Sequence, residues 1–395
     1  MVKKTIREIE VEGKRVLVRV DFNVPLDIKT KTITNDIRIK SSLPTIRYLV
    51  DHRAKVILCS HMGRPDGKVV EELRLIQVAN QLSKLIQLPV TTVQDCIGTE
   101  VKQAVSNMED GEIIVLENLR FHPEEEANDP NFAKELANLA DIYVDDAFGT
   151  AHRAHASTVG VANYLPAYSG FLMEKELAML GKILTNTEHP FAALLGGAKV
   201  SDKIGLVENI LDKVDMLLIG GGMAANFLRT RGYNVGQSKI ETKSLESAAR
   251  IMSYIEQNKI SLFLPVDVVV ADNITTENKS ETVPITSVPV DKYIVDIGFK
   301  TIELFTQQLR KCKTIFWNGP MGIYEIPQFA EGTKTLVKLI AELKATTVVG
   351  GGSTAEIVEE MNMADKITHV STGGGASLEF LEGKILPGVA VLLDE

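Results

Sequence analysis

The sequence predicts two doubly wound, Rossmann-like α/β domains with parallel sheets, joined by a hinge helix. Three observations carry this. Apolar runs of about four to eight residues recur without strict polar alternation, as strands buried on both faces require. Each run leads into a loop of Gly, Pro or charged residues and then into a stretch with helical spacing, the rhythm of a parallel sheet. A length of 395 residues suits about two such domains.

In order, the first half carries strand-like runs at 15–20, 55–59, 113–116 and 142–144, and the second at 192–195, 216–219, 262–270, 314–317, 346–349 and 367–370. Between them, 73–87, 131–140, 201–212 and 354–361 have the spacing of helices that bury one face. A Gly/Pro/Tyr-rich stretch at 163–170 precedes Phe171-Leu172-Met173-Glu174-Lys175-Glu176-Leu177, which opens a helical run to Leu184. The expected organisation is a domain at 1–170, an inter-domain helix at 171–185, a second domain at 186–377 and a tail at 378–395.

Composition narrows the function. A net charge of −9 speaks against a nucleic-acid coat or an acidic-membrane binder, and neither half is basic. Three widely spaced cysteines, Cys59, Cys96 and Cys312, exclude a disulfide scaffold and a sequence-local zinc knuckle, and suit a reducing compartment. The N-terminus has charges every few residues and no apolar leader, and the longest uncharged apolar stretch, 216–228, is broken by glycines and too short to span a bilayer. A soluble cytoplasmic protein is expected.

The loops that follow the two sets of runs differ in chemistry. In the first half they carry Asp21 and Asn23, then His61 and Arg64, then Arg120, then Arg153, with Arg38 nearby in a loop. In the second they are Gly196-Gly197, Gly220-Gly221-Gly222, Asn318-Gly319-Pro320-Met321-Gly322, Gly350-Gly351-Gly352 and Gly373-Gly374-Gly375. Ligands of open parallel sheets bind beyond the carboxyl ends of the strands, so these loops should form one Arg/His-lined rim and one glycine-lined rim. Arginine forks without interleaved acids suit a small polyanion, with Asp21 and Asn23 placed to bond its hydroxyls. Glycine turns opening helices suit phosphate, because backbone N–H groups and a positive dipole end meet there.

None of the glycine turns fits a Walker loop or a dinucleotide fingerprint. Gly351-Gly352-Ser353-Thr354-Ala355 misses the last glycine of a hydrolase elbow. Lys199 and Lys203 stand four apart, expected on one face of a starting helix, where a cation opposes the dipole unless an anion compensates it. His52, His189 and His369 lack ligand spacing, and Cys59 reads as core.

Several blocks carry a closer likeness. Val18-Arg19-Val20-Asp21-Phe22-Asn23-Val24-Pro25, Ser60-His61-Met62-Gly63-Arg64-Pro65, Glu117-Asn118-Leu119-Arg120-Phe121-His122, the segment from Asp146 to His155, the segment from Gly170 to Leu177, the segment from Gly196 to Lys203, Trp317-Asn318-Gly319-Pro320-Met321-Gly322 and Ser371-Thr372-Gly373-Gly374-Gly375-Ala376-Ser377 all resemble the phosphoglycerate kinase family, in its order, over essentially the whole chain. The resemblance implies reversible phosphoryl transfer from 1,3-bisphosphoglycerate to ADP, giving 3-phosphoglycerate and ATP, with Mg²⁺ accompanying the nucleotide. It places the phosphoglycerate on Asp21, Asn23, Arg38, His61, Arg64, Arg120 and Arg153. The nucleotide falls to Lys203, Gly221, Gly222, Glu325, Gly351, Gly352, Ser353 and Thr354, with Glu325 on the ribose. Transition-state stabilisation falls to Arg38, Lys199, Lys203 and the amides of Gly374 and Gly375. A monomer acting on small molecules, with no nucleic-acid or membrane partner, and a tail returning to the N-terminal domain are implied too.

The chemistry agrees with that assignment. In the ATP-consuming direction the nucleophile is a carboxylate, already ionised near neutral pH, so no catalytic acid–base pair is needed. The reaction needs charge neutralisation, in-line alignment and closure that excludes water. Two positions depart from the family: Ser353 stands where aspartate usually helps hold Mg²⁺, and Asp145 where asparagine is common. Two rivals remain at this level, a two-lobe protein that clamps an anion without chemistry and a different carboxylate kinase.

Overall fold

The apolar runs become strands where helices cover both of their faces. The computed structural model describes residues 2–27, 29–275 and 279–395. Its strands are β1 (Arg15–Arg19), β2 (Lys55–Cys59), β3 (Thr91–Thr92), β4 (Ile113–Val115), β5 (Ile142–Asp145), β6 (Ala167–Ser169), β7 (Phe191–Leu195), β8 (Met216–Ile219), β9 (Ser261–Phe263), β10 (Asp267–Ala271), β11 (Ser280–Pro284), β12 (Tyr293–Ile297), β13 (Thr314–Asn318), β14 (Thr346–Gly350) and β15 (His369–Val370). The chain divides into two compact units, Met1–Ala178 with Ile385–Glu395, and Met179–Lys384. The helix Phe171–Thr185 spans the point of division.

In the first unit six parallel strands, among the described residues, run β3-β4-β2-β1-β5-β6. Their core gathers Val16, Val18, Val56, Leu58, Val115 and Val144 with the buried stripe of the helix Ile76–Ile86, namely Val78, Ala79, Leu82 and Ile86. That helix ends at Gln87, whose left-handed φ of 61° turns the chain out of the helix. The helix Pro130–Ala137 starts where Asp129 accepts hydrogen bonds from Asn131 N and Phe132 N, both at 2.9 Å, with proline in the first turn.

In the second unit the parallel order is β15-β14-β13-β7-β8-β9. From β9 this is the doubly wound order 3-2-1-4-5-6, with its switch point between β7 and β13. Ala192, Leu194, Leu218, Phe305, Trp317 and Leu336 belong to its core. A separate antiparallel sheet, β11-β10-β12, has its own small cluster around Val295, Ile326 and Phe329. The expected fold class is therefore met, with this sheet added.

Three sequence readings are corrected. The run 262–270 is two strands in two sheets, because Leu264, Pro265 and Val266 separate β9 from β10 and proline brings no N–H to a ladder. Lys199 and Lys203 do not share a helical face, since the helix begins at Ile204 with Lys203 at its N-cap and Lys199 in the irregular segment before it. Arg38 lies in the first turn of the helix Ile37–Asp51 and not in a loop. Among the described residues, no helix is long and apolar enough to cross a membrane.

Candidate active site

The first unit's rim is built around β1 and β5, neighbours at its topological switch. Arg19, the last residue of β1, is 1% exposed. Its Nε donates to Ser157 Oγ at 2.8 Å and one terminal nitrogen donates to Val20 O at 2.5 Å. The other lies 3.1 Å from His61 Nδ1. A guanidinium has only donors, so His61 Nδ1 accepts, and the ring's single proton sits on Nε2. The ring stays neutral, because burial first, and then the charges of Arg19, Arg120 and Arg38, hold its pKa well below the usual value. His61 is thereby a fixed, uncharged Nε2–H donor among cations.

Asn118, fully buried, locks the loops beside it. Its Oδ1 accepts from Met62 N (3.2 Å) and Arg120 N (3.1 Å), and its Nδ2 donates to Met62 O and Leu73 O (2.8 and 2.9 Å). Gly63 is clasped from both sides, its N–H donating to Asn23 Oδ1 at 2.9 Å and its carbonyl accepting from Arg120 at 2.8 Å. Burial pulls the Arg120 guanidinium below its ordinary pKa, opposed by Glu126, whose Oε1 is 3.1 Å from Nε. Arg38 pairs with Asp21 Oδ2 at 2.7 Å. Arg153 Nε reaches His152 Nε2 at 3.2 Å. Arg64 is exposed.

The rim is thus not free of acids, contrary to the sequence reading. Asp21 and Glu126 face individual arginines, and Glu125 is buried beneath them. Ser157 donates to Glu125 Oε1 at 2.6 Å, completing a relay from Arg19 through a hydroxyl to a carboxylate. Burial raises the Glu125 pKa and the Arg19 charge opposes that rise. His155, pushed down to about 4 by burial and then by Arg120, Arg19 and Arg153, is a second neutral imidazole here. Arg19, Glu125, His155 and Ser157 escaped sequence reasoning. The available signal was Arg19 itself, a charge directly after the apolar run Val16-Leu17-Val18.

Beside this rim, Asp145 and Asp146 are fully buried. Asp145 Oδ1 accepts from Ala147 N at 2.9 Å while Oδ2 has no hydrogen-bond partner, and burial raises its pKa to about 7. Asp146, raised to about 8 by burial, accepts from Leu172 N and Met173 N at the start of the helix Phe171–Thr185. Both folded values lie above the unfolded carboxylate value of about 3.9, so the native state binds more protons and its stability falls as pH rises from about 4 toward 7 to 8. Asp145→Asn is expected to reduce the loss between pH 5 and pH 8 by at least about 1 kcal/mol. Denaturant midpoints at the two pH values measure it. Equal losses in both proteins would remove Asp145 from the pH response. The buried histidines act in the opposite sense but cancel in the comparison.

The second unit's rim lies at its switch point. The Gly196 and Gly197 amides donate to Asn318 O (3.0 Å) and Pro320 O (2.8 Å), tying the loop after β7 to the loop after β13. Lys203 Nζ donates to Gly196 O at 2.5 Å, and burial lowers its pKa to about 8, with Asp202 opposing. It remains mostly protonated near neutral pH. A Cβ on Gly319 would stand 2.4 Å from Gly196 O and 2.4 Å from Lys203 Nζ, so only glycine fits there. Thr354 is buried and accepts the Gly319 amide at 2.8 Å. Its side chain braces the loop.

A cavity of about 360 Å³, lined by largely apolar groups, opens beside these loops. Gly221, Gly222, Glu325 and Ser353 line it, with Tyr324 and Asp296. Lys203, Gly351, Gly352 and Thr354 do not. Gly351 and Gly352 open the helix Gly352–Glu360, and Gly374 and Gly375 open the helix Gly375–Leu381. Gly374 has φ +54° with open space where a side chain would be. Lys199 is exposed. The arrangement combines a slot for a flat apolar group with glycine turns and a buried cation for phosphate.

A family model described as phosphoglycerate kinase matches residues 6–384. The chain is 52% identical over 395 residues to a phosphoglycerate kinase of Pelotomaculum thermopropionicum, with 100% of both chains covered. It is 55% identical over 399 residues to one of Dictyoglomus turgidum, again with 100% of both covered. Among solved structures, phosphoglycerate kinase from Coxiella burnetii matches at 41% identity and a TM-score of 0.86, and that from Pyrococcus horikoshii at 34% and 0.87, each covering 98% of both chains.

Proposed function

Because this chain belongs to the phosphoglycerate kinase family, we propose a division of labour between its two units for the glycolytic reaction of that family. The reaction is reversible phosphoryl transfer between 1,3-bisphosphoglycerate and ADP. One observation carries the proposal: an arginine-lined rim around a neutral imidazole in one unit, and a glycine-lined rim beside an apolar cavity in the other.

In this reading residues 1–170 bind the phosphoglycerate and 186–377 the nucleotide. Arg64, Arg120 and Arg153 neutralise phosphate, His61 donates from Nε2, and Asp21 and Asn23 hold the hydroxyl and the adjoining loop. The base enters the apolar cavity, Glu325 takes the ribose hydroxyls, and Gly221, Gly222, Gly351, Gly352 and Lys203 meet the phosphates. In the ATP-consuming direction a carboxylate oxygen bonds to the γ-phosphorus as the bond to the β–γ bridging oxygen breaks, and ADP leaves. Charge on the three equatorial oxygens is met by Arg38, Lys199, Lys203 and the amides of Gly374 and Gly375. The bound acid and nucleotide must be brought into line, so closure precedes transfer and excludes water.

Mg²⁺ fits this chain as part of the nucleotide substrate and not as a resident ion. Ser353 offers only an uncharged hydroxyl, and no group of three metal-binding side chains lines the cavity among the described residues. Mg²⁺ keeps several waters and is readily held by phosphates. Ser353→Asp is expected to lower the Mg²⁺ concentration needed for half-maximal rate several-fold. An unchanged Mg²⁺ titration would leave position 353 without a metal role.

A net charge of −9 disfavours nucleic acid as a partner, and the family reading makes the chain a cytoplasmic monomer acting on small molecules. A coupled assay with ATP, Mg²⁺ and 3-phosphoglycerate tests the whole reading. Turnover is expected. None above background would leave an anion clamp, and turnover with acetate or aspartate instead would make it another carboxylate kinase.

A further inference from the structure

Asp95, Cys96 and His122 each offer one ligand atom, and these atoms lie within 4.8 Å of one another, the one such group among the described residues. None is used in the phosphoryl transfer proposed above. Asp95 and Cys96 follow β3, and His122 follows the short helical turn Leu119–Phe121 beyond β4. The two loops are tied to each other, since Glu117 N donates to Asp95 O at 3.3 Å, and the His122 ring is packed in turn 5.3 Å from that of Phe132 in the helix Pro130–Ala137. Asp95 Oδ1 accepts from Cys96 N at 2.6 Å and lies 2.7 Å from His122 Nε2. Cys96 is fully buried, whereas the His122 and Asp95 side chains are 27% and 51% exposed, so the group is open to solvent on one side.

We propose that Asp95, Cys96 and His122 form a binding site for one thiophilic divalent cation of the zinc class. The donor set decides the class. Magnesium and calcium take oxygen ligands, while zinc takes thiolate, imidazole and carboxylate together. Zinc ligands about 2.0–2.3 Å from the metal stand roughly 3.5 Å apart, so side-chain rotation within this group suffices. Binding releases the thiol proton to solvent, the imidazole contributes a nitrogen lone pair, and water takes the fourth position. Three protein ligands with an open fourth position make an exchangeable site.

The test uses the full-length, reduced protein freed of metal, with Co²⁺ as the probe and Zn²⁺ as competitor. One equivalent of Co²⁺ is expected to give a sulfur-to-cobalt charge-transfer band that Zn²⁺ abolishes. Cys96→Ala should lack the band and Cys312→Ala should retain it. Asp95→Asn and His122→Asn should each bind at least about tenfold more weakly. Zn²⁺ should also raise the melting temperature of the wild type more than that of His122→Asn, as binding to the native state requires. Absence of the band in the wild type, or its survival in Cys96→Ala, would overturn the proposal. If Cys96→Ala loses its cooperative thermal transition, His122→Asn decides: unchanged Co²⁺ affinity there overturns it equally.

Discussion

Arg38→Ala is expected to lower kcat by about a thousandfold or more while leaving the fold intact. Arg38 stands in the first turn of its helix, where a positive charge opposes the helix dipole. Asp21, at 2.7 Å, offsets that and aims the fork. The side chain is 34% exposed, so the ion pair contributes little to stability and its loss should not unfold the unit. If the guanidinium meets charge that develops only as the phosphoryl group is transferred, its removal lowers kcat and kcat/KM together. Arg38→Lys keeps the charge but not the planar fork, and should fall between the two. Steady-state kinetics with 3-phosphoglycerate and ATP each varied would separate the cases. A rise in KM with kcat unchanged would confine Arg38 to ground-state binding.

Arg38 stood out in the sequence as a candidate, but its pairing with Asp21 and its place in a helix did not. The parallel strands were visible because burial on both faces leaves uninterrupted apolar runs such as those of β2 and β8. The antiparallel sheet was not, because β11 is mostly exposed and carries no such run. Strand order depends on contacts between distant segments, and nothing local in β1 states that β2 and β5 flank it. The site divides in the same way. Arginines and glycines in loops stood out against the apolar runs, whereas Arg19 was hidden inside one and Glu125 inside a surface-like acidic stretch. Lys203 was found for a helical geometry it does not have. Its burial against the Gly196 carbonyl depends on the loop after β13, over a hundred residues away.

Arg19→Met is the variant expected to disturb the N-terminal unit most, through two separable effects. The first is on stability. Glu125 is buried, and its compensating cation lies two hydrogen bonds away through Ser157. Removing one partner of a buried charge pair costs about 3–5 kcal/mol, largely because the other charge is left uncompensated. Arg19→Met should therefore lose about 3 kcal/mol in denaturant unfolding, and adding Glu125→Gln should restore part of it. The second effect is on His61. Without a donor at Nδ1 the ring is free to carry its proton on either nitrogen, and its Nε2–H is no longer fixed toward the rim. Loss of the neighbouring charge also lets the pKa of His61 rise. In the double variant, where stability is partly recovered, KM for 3-phosphoglycerate should stay raised and should acquire a pH dependence between about 5 and 7 that the wild type lacks. A structural role alone would let KM recover along with stability. If it does, Arg19 is a scaffold for Glu125 and has no part in holding His61 for the substrate.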